Sequence, residues 1–280
     1  MKRTYTFSIV ATTLFLAISC SSPNANQHEE SWQALFNGKD LAGWDTYIGA
    51  EHEGQVLGLN NDPLKVFTVT EIDGEPAMRI SGQQFGGIST VSEFENFHLQ
   101  LQFKWGEQKW APRENSKRDS GILYFAGGPH GVDAKAWMRS QEFQVQEGDC
   151  GDYWGVAGGA FEIPVIKNGE NYIYDPSGEL MPFSTISEFG RHAVKSPDAE
   201  KPTGEWNTVD IFCLGGTAIH MINGQVVMIL YNSSVVEGNS LRPLTKGKIQ
   251  LQSEGAEVFY RNIRIEGISE LPKDISTTRP

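Results

Sequence analysis

Residues 139–154 read RSQEFQVQEGDCGDYW, and six of them carry side chains from which acid–base or sugar chemistry is built. Phe143 and Val145 are apolar and two apart, as on the buried face of a strand. The opposite face takes Glu142, Gln144 and Gln146, with Glu147, Asp149 and Asp152 just beyond. Carboxamides donate and accept hydrogen bonds, so they satisfy hydroxyls in both directions, while the rings of Trp110, Trp137, Tyr153 and Trp154 can cover apolar C–H faces. The combination suits a sugar. A solvated sheet face is the plainer alternative, although Gln and Trp are costly choices for mere solvation.

Glu142 and Glu147 also suggest a second chemistry. Retaining glycosidases on a β-sandwich place two carboxylates on one strand with an Asp between them, and the two acids must stand about 5–5.5 Å apart. Here the middle residue is Gln144, which cannot tune a neighbouring acid as an ionised Asp would, so a conventional glucanase reading is weakened. His220, in AIHMINGQ, is out of phase with Ile219 and Met221 and is therefore expected on the polar face as a proton-transfer candidate. A lone strand histidine is more often a hydrogen-bonded structural residue than a catalyst. Of the other histidines, His28 falls in a polar N-terminal stretch, His52, His130 and His192 in expected loops, and His98 beside Gln100 and Gln102. No HExxH, paired-cysteine or EF-hand spacing occurs. No cofactor is expected, and a divalent cation at Asp149 and Asp152 is left open.

The elements that must position these groups are strands. Leu99, Leu101, Phe103 and Trp105 alternate with His98, Gln100, Gln102 and Lys104; Val209, Ile211 and Cys213 follow the same period, as do Ile249 and Leu251 against Gln250 and Gln252. If such strands share a sheet, their polar sides form one continuous surface. Asn223-Gly224 between two apolar runs is a strong hairpin signal. No helical period persists over eleven residues, leaving room only for short helices near 133–138 and 184–189. With 30 Gly and 13 Pro punctuating many short strands, two packed antiparallel sheets are favoured over a βαβ architecture. The stretches 106–120 and 149–201 are too long for hairpin loops and are expected to carry function or wall a pocket.

At the N-terminus, Lys2-Arg3, an apolar run from about Phe7 to Leu16 and small residues before Cys20 form an export signal. The run is shorter than the roughly 20 residues a membrane-spanning helix needs. Ala17-Ile18-Ser19-Cys20 resembles a bacterial lipobox with its leucine one place early, so Cys20 is the expected lipidation site; cleavage of a plain signal peptide is the alternative. The organisation read is a lipoprotein signal peptide at 1–20, a flexible tether at 21–31, one β-domain at 32–268 and a tail at 269–280, in a protein anchored to the cell envelope by lipid. The formal charge of −12 grows more negative once Lys2 and Arg3 are removed, which argues against nucleic acid as a partner. Cys150 and Cys213 could pair in an oxidising compartment or remain buried thiols.

Six motifs in order, LFNGKDLAGWDTY, DSGILYF, SQEFQVQEGDCGDYW, GEWNTVDIF, HMINGQVV and GKIQLQSEGAEVFYRNIRI, resemble the 3-keto-disaccharide hydrolase domain family (DUF1080) from about Trp32 to Ile268. The resemblance implies a concanavalin A-like jelly-roll β-sandwich with long loops around a concave face. It also implies a hydrolase or lyase acting on glycosides already oxidised at C3, which an oxidoreductase partner would have to supply. Such chemistry removes the C2 proton acidified by the C3 ketone and expels the C1 substituent, so it needs a base, an acid and charge stabilisation near O3. On this resemblance Glu142 or His220 would transfer the proton and Arg261 support negative charge, an in-phase structural salt bridge being the alternative for Arg261. Asp119, Ser120, Gln144, Glu147, Asp152, Trp154 and Gln252 would line the sugar site. A non-catalytic carbohydrate-binding lipoprotein is the other reading, since the sandwich is shared with lectins.

Overall fold

Period-two alternation buries every second side chain, and a chain of such strands is stable only when two apolar faces close on each other. That is the architecture of the computed structural model, which describes residues 1–2, 32–49, 55–273 and 275. Met1–Ser31 and Trp32–Pro280 form separate units. The expected lipidation site Cys20 and the tether lie outside the described residues. Within the second unit the described residues form two antiparallel sheets, of twelve and nine strands, and no helix. The fold is all-β, a sandwich of two antiparallel sheets between which the chain passes repeatedly. The segments 133–138 and 184–189 are turns.

The larger sheet holds Asn207–Leu214, Phe97–Lys109 and Ala256–Gly267 side by side at its centre, with Thr217–Ile222 next to the first. The smaller sheet runs His192–Ala193, Tyr153–Val156, Arg139–Gln146, Asp119–Gly127, Lys246–Ser253 and Gly86–Thr90. Between the sheets lies one core, in which Leu99, Leu101 and Phe103 share an apolar cluster with Ile122, Phe143, Val145, Ile249 and Leu251. The Asn223-Gly224 hairpin forms as expected, with φ of 50° and 79°, the pair of positive values that a two-residue turn requires.

Two strand assignments correct the expectation of one continuous polar surface. His98, Gln100, Gln102 and Lys104 belong to the larger sheet, whereas Glu142, Gln144, Gln250 and Gln252 belong to the smaller. Since each sheet turns its apolar side inward, the polar sides face away from each other. On the larger sheet the amides serve structure: Gln100 Oε1 accepts from Arg264 Nε at 3.0 Å and Gln102 Oε1 from Arg261 Nε at 2.9 Å. Cys150 and Cys213 are both buried free thiols.

Candidate active site

The outer side of the smaller sheet carries a cleft of about 500 Å³. Its floor is set by register. Glu142 stands between Leu123 on one neighbouring strand and Trp154 on the other, and Trp154 pairs in turn with His192. One row along, Gln144 pairs with Gly121, and Leu251 pairs with Ile122, so that Gln252 follows beside Gly121. A further row brings Gln146 opposite Asp119. Alternation thus delivers residues 142, 144 and 146 to the cleft while Phe143 and Val145 hold the strand to the core.

Gly121 is the low point of this floor. A Cβ built on it would fall far inside contact distance of Glu142 Oε1 and Gln252 Oε1, so both side chains lean over the space the missing side chain leaves. Glu142 is 5% exposed. Burial, with the charges of Glu254 and Asp119 adding to it, pushes its carboxyl well above the ordinary range. No hydrogen bond among the described residues compensates that cost.

Arg113 bridges two more acids, the buried Asp119 and, at 3.3 Å, the partly buried Glu254. Asp119 additionally accepts from the amides of Gln144, at 3.3 Å, and Gln146. Burial raises Glu254 to about 8, with the Asp119 charge contributing and Arg113 opposing; burial likewise raises Asp119 to about 7 against Arg113. One guanidinium cannot neutralise two desolvated carboxylates, so the pair retains a proton near neutrality. Because Asp119 has the richer set of donors, that proton belongs on Glu254.

The opposite wall is built by the long 149–201 stretch. Asp152 Oδ2 lies 2.8 Å from His192 Nε2, and its Oδ1 accepts the Lys195 backbone N–H at 2.9 Å. The His192 ring stacks on Trp154 with centroids 4.2 Å apart, and the Arg191 guanidinium sits 5.5 Å over the same indole while donating to Asp133 at 2.9 Å. Trp137 lines the cleft and is fixed by its N–H to Gly86 O at 3.0 Å. Among the described residues, no group of three or more His, Cys, Asp or Glu side chains is arranged to hold a metal ion.

Of the residues expected from sequence, Glu142, Asp119, Gln144, Asp152, Trp154 and Gln252 meet in this cleft. Four do not. His220 is completely buried, with Nε2 2.9 Å from Tyr124 Oη and Nδ1 3.3 Å from Gly151 O. It pairs with the core residue Ile211, so His220 faces inward and Met221, partly buried, pairs with the outward Asp210. The expected phase is reversed, because apolar Ile219 and Met221 lie on the outer side. Arg261 belongs to the larger sheet, where it binds Gln102, pairs with Glu75 at 3.1 Å and stacks 3.9 Å over Trp206. Ser120 points into the sandwich and donates to Gln252 O at 2.8 Å.

Glu147 lies past the strand end, where it accepts from the Arg118 backbone at 2.9 Å, its guanidinium at 2.8 Å and Thr203 at 2.6 Å. Held there, it does not share the cleft with Glu142, which removes the Glu142–Glu147 glucanase pair. Conversely, Arg113, Asp133, Arg191, His192 and Glu254 line the cleft without having been expected there. Glu254 was within reach, since it continues the phase of Gln250 and Gln252. His192 was not, because its place depends on pairing with a strand some 40 residues earlier.

Solved structures with similar folds include a candidate glycosyl hydrolase from Parabacteroides distasonis, 19% identical over 86% of this chain and 95% of that one, with a TM-score of 0.48. A second from the same organism is 22% identical over 85% and 99% of the two chains, also at 0.48. A carbohydrate-binding module from Bacillus subtilis is 11% identical over 80% and 96%, at 0.43. No curated protein matches the sequence. Residues 31–266 match the 3-keto-alpha-glucoside-1,2-lyase-like domain, and the chain belongs to that family of carbohydrate-active proteins.

Proposed function

We propose that the cleft binds a glucoside oxidised at C3 and cleaves it through its C2 carbanion. The C3 ketone acidifies the C2 proton; Glu142 takes that proton, an enediolate forms, and the C1–O bond breaks with its electron pair leaving on the aglycone oxygen. Glu254, kept protonated by burial, is the acid available to that oxygen. Arg113 and Arg191 place positive charge at the rim, where the developing oxyanion benefits from it. Water adding to the resulting enone completes a net hydrolysis; without it the product is the unsaturated ketone. The indole of Trp154 offers a face for the sugar ring.

The observation that carries this reading is Glu142 itself, a buried carboxyl on the cleft floor with no hydrogen-bond partner to settle its charge. A binding surface has no use for so costly a group, whereas a carboxylate of raised pKa is a stronger base when ionised. In this reading an oxidoreductase supplies the ketone, and an export signal ending in a lipid-anchored Cys20 puts the reaction in the cell envelope.

The test is incubation with a 3-keto-α-glucoside and its unoxidised parent. Aglycone is expected only from the keto compound, and Glu142→Gln should lower that rate by about 10²–10⁴-fold without loss of fold. Cleavage of the parent at a comparable rate, or full activity in Glu142→Gln, would contradict the proposal.

A further inference from the structure

Two carbonyl oxygens on the cleft floor accept no hydrogen bond. Gln144 is 8% exposed and Gln252 2%, and the Oε1 of each is buried without a partner. Leaving a buried acceptor unpaired is expensive, and both belong to one row across the sheet. The Gln144 amide cannot turn to relieve it, because Nε2 is committed to Asp119 Oδ1 at 3.3 Å. Between the two strands that carry them runs the strand of Gly121, and the space its missing side chain leaves is taken up by Glu142 Oε1 and Gln252 Oε1. Strand spacing sets the two backbones about 9–10 Å apart, wide enough for one pyranose ring to lie over Gly121 and meet an acceptor on either side.

We infer that Gln144 and Gln252 form a two-acceptor subsite that takes the hydroxyl-bearing edge of the sugar, one O–H to each carbonyl oxygen. The inference rests on the proposed function for its ligand class and adds an orientation to it. A ketone has no hydrogen to donate, so the C3 edge cannot be the one held by the two acceptors. The keto edge then points to the donors Arg113 and Arg191, and the 4- and 6-hydroxyls are the pair that the acceptors take. Specificity follows from the same chemistry, because a site with buried acceptors rejects analogues that lack the matching hydroxyl.

Calorimetric titration of the full chain with an unoxidised α-glucoside, which needs no turnover, and with its 4-deoxy and 6-deoxy analogues tests the assignment. Each deletion is expected to weaken binding by about ten- to a hundred-fold. In Gln252→Met, nearly isosteric and without the carbonyl, one of the two deoxy analogues should bind as well as the parent while the other still suffers. Gln144→Met should show the converse. Equal affinity for parent and analogues in the unaltered protein, or a uniform loss across all three ligands in both variants, would overturn the subsite, as would no binding of the parent at millimolar concentration. Failure here with intact cleavage of the keto substrate refutes the orientation alone; the reverse outcome refutes the cleavage and leaves the subsite standing.

Discussion

At the scale of single residues, partners decide between chemistry and architecture. Glu142 and His220 are both buried strand residues, and sequence put both on one polar face. His220 is fully provided for: bonded at both nitrogens, packed against Phe143 at 4.8 Å between centroids, and held neutral by burial that lowers it to about 3. Glu142 has charge repulsion and no bond. His220→Ala should therefore cost stability, roughly 2–5 kcal/mol from the cavity and the orphaned Tyr124 hydroxyl. The protein that remains folded should keep its activity per molecule, as denaturant titration beside an assay below the transition would show. A loss of activity without a loss of stability would return His220 to the chemistry.

Strands and their register explain why part of the site was legible. Period two identified Glu142, Gln144 and Gln252 because alternation needs only local sequence. It could not say which strands share a sheet, and so it merged Gln102 and Arg261 with a surface on the opposite side of the sandwich. Phase alone also failed at His220, where the outward positions of an inner hairpin are themselves apolar. The arginines and His192 were invisible for a further reason: they reach the cleft from long loops whose course is set by contacts such as Trp154 with His192. Gly121 is the element-level feature that sequence conceals most, a residue whose value is the space beside it. Gly121→Ala requires no forbidden backbone angle, since φ there is not positive, but it drives a methyl into Glu142 and Gln252. A folded protein with little turnover and little sugar affinity is expected from circular dichroism, activity and calorimetry together; unchanged activity would show that the placement of Glu142 and Gln252 over Gly121 is not used.

Over the whole molecule, the smaller sheet bears a concentration of acid that folding must bring out of water. Burial pushes Glu254 up to about 8 in the folded state, against an ordinary glutamate near 4.3 when unfolded. Between those values the folded state holds a proton that the unfolded state has lost. Stability is therefore greatest below the lower value and declines as pH rises through the higher, at up to about 1.4 kcal/mol per pH unit for one proton. Glu142, also raised, acts in the same direction. Urea midpoints should fall between about pH 5 and 8, and Glu254→Gln should flatten that slope. A midpoint that climbs across the range would mean that these acids are ionised in the folded protein.

If a C2 proton leaves a 3-keto sugar in this cleft, hydrogen exchange in heavy water will report it. With a 3-keto-α-glucoside and the unaltered protein, magnetic resonance should show deuterium entering C2 alongside aglycone release, and neither process should proceed with Glu142→Gln. Aglycone release that requires Glu142 while the substrate and product retain hydrogen at C2 would show that the bond breaks without the carbanion, and would overturn the proposed C2 chemistry.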